Sequence, residues 1–563
     1  MANDGSKKGA GPKRTRGRIG ADFSLGAEQA EADPLLEAAF YESGDYSVIE
    51  SRAQARCFII GRTGGGKSAA LQHLEDSYHD HVIRITPEDL SLPYITDLSV
   101  IRHLDSLDVH LDSLFIALWK HVLLVEVIRH RYNIDSPAAK QNFLATLREK
   151  VKRDPAKAAA LEYLDEYEGK FWCETDERVR EITQRFEEQI DNVAKGQLSL
   201  GSAGVEVGRT HGKLLSTEVR SEHAERYQRI VNNTQLARLN KMIAVLNEDI
   251  LDEPQHYTYV IIDDLDRDWV DERVANDLIR CLFRTVLDLK RVRNLRVLVA
   301  LRTNIFQELR FSERASGQEE KLRALVLPLR WTKHDLESML DERTRAAAEL
   351  GSVPNIDRVA DLLPTANRNR GNPVDFILDR TLMRPRDAIA FVNEALNLSR
   401  GKTRISWAEL VAAERPYSQN RLLALRDEWS PTYPDLIRVI EVFRKAPLPM
   451  SRDEFRQRVD EAILLMADPT FRGVLWVTEM AEPVWQSSIS DEWADQYGPF
   501  TSFLYNIGLI GVAPSRGHRP TFSYEIESYP SNLANLGPDS AFFVHRTFQP
   551  ALNITIDAAL PDL

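Results

Sequence analysis

Apolar residues in this chain fall into short continuous runs separated by stretches with helical spacing, the pattern of a buried parallel sheet covered by helices. Runs at 57–60, 81–86, 257–262, 295–301 and 324–329 predict strands, and 257–262 and 295–301 are apolar enough for central ones. Helical spacing follows Ser68 and recurs over 109–129 and 274–289. A short amphipathic helix is expected over 31–40, opened by Asp33 and Pro34, with a turn at Gly44-Asp45 behind it. Between about 135 and 250 the chain becomes charged and helix-favouring, as in 176–194 and 221–247; its glycine-bearing middle, 197–215, suits a hairpin or a mobile loop. Helical spacing returns over 332–410 with a Pro and Gly break near 365–373. Helices are expected at 436–443 and 452–466, then 500–507, a turn at Gly508, and short apolar runs at 509–512, 521–524 and 542–545. Helices followed by a two-stranded wing predict a winged-helix-like domain.

Composition narrows the setting. A chain of 563 residues can bury several cores. Its 72 basic and 85 acidic residues give a formal charge of −13, which disfavours a body wrapped by nucleic acid. Three cysteines without paired spacing suggest neither a disulfide framework nor a zinc site, and no run is apolar and long enough for a membrane span, so a cytoplasmic protein is expected. The glycine-rich start carries Lys7, Lys8, Lys13, Arg14, Arg16 and Arg18 with little to bury, and reads as a disordered arm.

The chemistry is concentrated at Gly61-Arg-Thr-Gly-Gly-Gly-Lys-Ser68, a full G-x-x-x-x-G-K-[ST] motif placed after a strand and opening a helix. Backbone N–H groups of Gly61, Arg62, Thr63, Gly64, Gly65, Gly66, Lys67, Ser68 and Ala69 are candidates to cradle phosphates, helped by the helix N-terminus. Lys67 should reach the β- and γ-phosphates, and the Ser68 hydroxyl should ligate Mg²⁺. Asp263 and Asp264 follow the 257–262 strand, at the sheet end where α/β proteins bind ligands. Asp263 is the expected metal partner, through water; Asp264 or Asp266 would activate the attacking water, and spacing does not choose between them. Arg302, at the end of the next strand, would sense the γ-phosphate, and Arg384 and Arg386 could fold over the nucleotide. Arg280, Arg284, Arg291, Arg293 and Arg310 are equivalent candidates for a finger supplied in trans.

Together with Asp263-Asp-Leu-Asp-Arg267, Leu301-Arg-Thr-Asn304 and Arg384-Pro-Arg-Asp387, the loop resembles bacterial P-loop ATPases of the KAP and STAND type. Asp33-Pro-Leu-Leu36, Pro87-Glu-Asp-Leu90, Ser406-Trp-Ala and Tyr417-Ser418 resemble a largely uncharacterised bacterial family of such ATPases. That resemblance implies adenine over guanine, an ATP-dependent switch, oligomerisation on a signal, frequent roles in phage defence and a sensor role for Arg302. No repeat array or effector segment is evident, so the effector would be a separate protein.

The expected architecture is a doubly wound α/β sheet of P-loop NTPase type with a helical insertion, a helical region and a C-terminal winged-helix-like domain. Its divisions are a basic arm over 1–25, the P-loop ATPase domain over 26–330 with its insertion at 135–250, a helical lid or sensor region over 331–430, and the winged-helix-like part over 431–563. The expected function is an ATP- and Mg²⁺-dependent regulatory switch that hydrolyses ATP, assembles with its own copies and contacts no membrane. A nucleic-acid-dependent loader or motor, and a nucleotide-binding module without turnover, are the other readings. Acidic residues outnumber basic ones beyond Arg421, which disfavours nucleic acid, although Arg516-Gly-His-Arg519 would lie at the wing tip.

Overall fold

The five apolar runs form one parallel sheet. The computed structural model describes residues 18–20, 22–86, 111–132, 145, 149, 236–265, 272–309, 323–351, 353, 356–486, 492–527 and 529–556. Its chain divides into a unit of Gly44–Arg62 and Lys67–Leu329 and a unit of Met1–Ser43, Thr63–Gly66 and Arg330–Leu563. Most of the expected helical insertion, the 197–215 segment, Pro87-Glu-Asp-Leu90 and residues 1–17 of the basic arm lie outside the described residues.

In the first unit, α1 (Gly44–Glu50) precedes β1 (Phe58–Gly61), and α2 (Lys67–Ser77) and β2 (Val82–Ile85) follow the loop. Then come α3 (Asp112–Tyr132), α4 (Ala237–Val245), β3 (Thr258–Ile262), α5 (Glu272–Leu289), β4 (Leu295–Arg302), α6 (Thr303–Glu308) and β5 (Val326–Pro328). All pairs are parallel, in the order β2-β3-β4-β1-β5. The strand before the glycine loop and the strand before the acidic pair are thus separated by β4. Every residue of β1 and β3 is buried, which a sheet covered on both faces requires. Phe58 of β1 stacks on Phe283 of α5, and the Trp119 indole of α3 donates to the Leu278 carbonyl of α5 at 2.9 Å.

Gly44 and Asp45, expected as a turn, instead begin α1. Tyr46 and Ile49, three residues apart, bury one face of that helix. Arg296 of β4 holds its C-terminal end by donating to the carbonyls of Val48 and Ile49, and holds the segment that follows by donating to those of Gln54 and Arg56.

The second unit holds α7 (Lys333–Leu350), α8 (Val359–Leu362), α9 (Pro373–Leu378), α10 (Pro385–Leu398) and α11 (Trp407–Trp429). The expected break falls between α8 and α9, where Asn367 bridges Gly371. Ile19, Leu25, Leu35 and Ala39 are buried among these helices. The N-terminal segment therefore packs here from Ile19 onward, whereas the sequence placed 1–25 in a disordered arm and 26–43 with the α/β domain; its apolar positions supply the reason. The expected helix over 31–40 is a 3₁₀ turn, Ala30–Ala32, followed by further turns. Asp33 accepts from the amides of Ala27 and Leu35 and pairs with buried Arg343 at 2.7 Å, which fixes a bend in place of a helix.

The C-terminal part contains α12 (Leu436–Glu441), β6 (Pro447–Leu448), β7 (Met450–Ser451), α13 (Arg452–Leu464), α14 (Val474–Gln486) and α15 (Trp493–Asn506). It ends with β8 (Ile510–Ala513), β9 (Ala541–Val544), α16 (Gln549–Leu552) and β10 (Thr555–Ile556). An antiparallel sheet runs β7-β9-β8 over a core that includes Phe443, Phe455, Phe500 and Phe542. The run at 521–524 contributes one bridge, Val512 to Thr521, and β9 supplies the strand. Among the described residues, no helix is long and apolar enough to cross a membrane.

Candidate functional site

β1 ends at Gly61 and α2 begins at Lys67, so the glycine loop is a tight connection from a buried strand to a helix. Gly64 and Gly66 adopt left-handed backbone conformations, φ 75° and 92°. A side chain at Gly64 would lie 2.9 Å from the Arg386 Cβ, so both backbone freedom and close approach require glycine there. Left-handed residues in a short loop let successive N–H groups converge on an anion. The Lys67 ammonium donates to the carbonyls of Gly61 at 2.8 Å and Arg62 at 3.1 Å. Ser68 and Ala69 lie in the first turn of α2 and are half-buried. The Thr63 hydroxyl oxygen is buried without a hydrogen-bond partner among the described residues, a polar group inside the loop with capacity for an anionic oxygen. These features fit a polyphosphate.

The carbonyl side of the loop tip is held within the helical unit. Arg384 Nη1 donates to the Thr63 carbonyl at 3.0 Å, the Arg386 amide to that of Gly64 at 3.4 Å, and Trp331 Nε1 to that of Gly65 at 2.8 Å.

Asp263, just beyond β3, is 5% exposed and faces Arg84, whose Nη2 lies 3.2 Å from Oδ2. The other Arg84 nitrogen meets Glu75 of α2 at 3.0 Å, so one guanidinium ties strand β2, helix α2 and the acidic strand end together. Asp264 has a left-handed backbone, φ 59°, and its amide donates to Asp263 Oδ1 at 2.9 Å. Aspartate tolerates that conformation better than most residues, and such strain concentrates where a side chain must be aimed. Asp266 and Arg267 lie outside the described residues.

Sheet register sets Arg302 beside Gly61, so that arginine reaches the edge where the loop begins. Arg384 is buried and pairs with Asp387 at 3.0 Å and Glu428 at 3.2 Å. Burial opposes its charge, yet the two carboxylates outweigh burial and the net shift of its pKa is upward. Asp387 is fully buried; burial raises its pKa, but Arg384 and Arg421 more than reverse this. Arg386 donates through Nε to the Glu28 carbonyl at 3.3 Å, and burial, then Arg384, pull its pKa down. Of the arginines considered for a trans finger, Arg280 and Arg284 both pair with Asp112, at 2.6 and 2.8 Å. Arg291 lies at 3.5 Å from two Asn240 oxygens, and the Arg293 amide donates to Asn247. Arg310 is outside the described residues.

Sequence reasoning overlooked Arg84 and Trp331. The one available signal for Arg84 was a single charge inside an apolar strand run; Trp331 carried none, because its partner is a backbone atom distant in sequence.

No curated protein matches the chain. The helical segment of residues 334–426, reaching from α7 into α11, matches a family described as the FunZ-associated C-terminal helical domain.

Proposed function

We propose that this protein is an ATP-binding and ATP-hydrolysing regulatory switch, dependent on Mg²⁺, in a bacterial multi-protein system, with antiphage defence as the setting suggested by its resemblance to KAP and STAND ATPases. The observation that carries the reading is the strand–loop–helix at 58–77: a full phosphate-loop sequence with left-handed Gly64 and Gly66, on a parallel sheet whose acidic strand lies two places away. In this reading, amides from Gly61 to Ala69 bind the phosphates and Lys67 neutralises the β- and γ-phosphates. Ser68 and Asp263 would hold the metal, and magnesium, when bound, would offset phosphate charge. Asp264 orients and deprotonates the attacking water, Arg302 senses the γ-phosphate, and Arg384 and Arg386 report the state of the loop. Self-assembly and a separate effector protein are proposed as the means by which that state is read.

The C-terminal part is proposed as a winged-helix domain, supported by the sheet order β7-β9-β8 and the helices between its first two strands. Its proposed use is protein contact. Arg516 and Arg519, the basic residues between β8 and β9, pair with Glu454 and Glu525, and acidic residues prevail around them. A DNA loader or motor is the second reading, favoured only by the wing topology.

Calorimetry with ATP in magnesium buffer and a steady-state phosphate-release assay test the proposal. Wild-type protein should bind and turn over ATP. Lys67→Ala should lose binding, while Asp264→Asn should keep binding and lose turnover by about 100-fold or more, the scale of a general-base contribution. Normal turnover by Asp264→Asn would remove that residue from the water-activating role, and binding without phosphate release by the wild type would leave a nucleotide-binding module.

A further inference from the structure

We propose that Trp331 and Arg384 are positioning residues that pre-organise the phosphate loop by holding its carbonyls, so that the helical unit itself sets phosphate affinity. This rests on the phosphate-site reading above. A peptide group is planar and trans, and its C=O and N–H point in opposite directions. Anchoring the carbonyls of Thr63, Gly64 and Gly65 therefore aims the amides of Gly64, Gly65 and Gly66 the other way. Those are three successive donors on one side of a short loop, the arrangement that binds an anion.

The anchors are themselves fixed. Arg384 is clamped between Asp387 and Glu428. Asp387 accepts from the Leu382 amide at 3.0 Å and faces Arg421, which also pairs with Glu28 of the N-terminal segment. A chain of alternating charges thus runs from Glu28 through Arg421, Asp387 and Arg384 to the Thr63 carbonyl. Trp331 contributes from the segment between β5 and α7, and its ring covers Gly66, where an added Cβ would lie 3.5 Å from Cζ2. Neither side chain need touch nucleotide: each acts on the backbone that does. A loop held in the binding conformation beforehand loses less freedom when phosphate arrives, which raises affinity without a new contact. Any movement of the network at Arg421 or Glu28 would be felt as a change in phosphate affinity, and phosphate would act back on the network to the same extent.

Trp331→Phe in the full chain removes the Nε1 donor and keeps an aromatic ring. Amide hydrogen exchange across 62–68 in protein without nucleotide reads the anchoring directly, and exchange should be about threefold faster or more for one lost hydrogen bond. Calorimetry with ADP and with inorganic tripolyphosphate in magnesium buffer reads the consequence: both dissociation constants should rise by the same factor, about three- to tenfold. Equal factors place the loss at the phosphates and not at the base. Arg384→Lys, which keeps a cation beside Asp387 and Glu428, should move the same readouts in the same direction. Unchanged exchange and unchanged affinity in Trp331→Phe overturn the proposal. Wild-type protein that binds neither probe overturns the phosphate-site reading on which it rests, whatever the exchange data show.

Discussion

Arg296 is 7% exposed at the second position of β4, in a strand otherwise of leucine, valine and alanine up to Arg302, and its guanidinium meets four main-chain carbonyls. Burial lowers its pKa, with Cys57 and Tyr259 as smaller opposing influences. It acts as a fixed donor block for the end of α1 and the approach to β1, satisfying acceptors that a buried loop would otherwise leave bare. Arg296→Met should therefore destabilise the α/β unit by about 3 kcal/mol or more, since each buried acceptor stripped of its partner costs about 1–3 kcal/mol; the midpoint of denaturant unfolding measures it. Arg84 makes a related point at the site. It belongs to an apolar strand by pattern, and only the adjacency of β2 and β3 brings it to Asp263.

Among the elements, α7 is the one whose start leads out of the segment bearing Trp331. Its N-terminus is closed by a capping box: the Thr332 hydroxyl accepts from the Asp335 amide, and the Asp335 carboxylate accepts from the Thr332 amide and hydroxyl. Burial pushes the Asp335 pKa up, but the Thr332 bonds, with the Tyr41 hydroxyl and His334, together more than cancel that and the net shift is downward. A carboxylate with a depressed folded pKa adds stability above its unfolded pKa, near 4, and that stability is lost as pH falls through the folded value. Thr332→Ala should accordingly cost about 1 kcal/mol at neutral pH, and the gap to wild type should narrow below about pH 4. Thermal unfolding of both proteins across pH 3 to 7 gives the comparison. A penalty that stays constant into acid would mean that the cap acts only through the hydroxyl and the Asp335 amide.

At the scale of the whole molecule, the formal charge of −13 and the pairing of Arg516 and Arg519 with Glu454 and Glu525 bear on partner choice. Phosphate-backbone binding needs unneutralised cations and weakens steeply with salt. The protein should not retain duplex DNA at about 150 mM salt, and DNA should not stimulate its phosphate release, as fluorescence anisotropy and the release assay can show. Tight, salt-sensitive DNA binding would move the C-terminal domain to the loader reading. Much of the architecture followed from local pattern. Parallel strands buried on both faces must be continuous apolar runs, so the five strands were legible within a residue or two. The tight glycine loop between β1 and α2 was legible because its motif is local, set between an apolar run and helical spacing.

The sequence by itself determined that loop, the α/β class, the helical region near 331–430 and the acidic pair after a buried strand, because each is a local property of neighbouring residues. Tertiary structure alone decided the strand order that puts β4 between β1 and β3, and the burial of Ile19, Leu25, Leu35 and Ala39 among helices hundreds of residues away. It also decided the pairing of Arg84 with Asp263 and the hold of Trp331 and Arg384 on loop carbonyls. Main-chain carbonyls are the same in every residue and leave no mark in sequence, so a side chain that acts by binding them becomes visible only when the folded chain brings the two together.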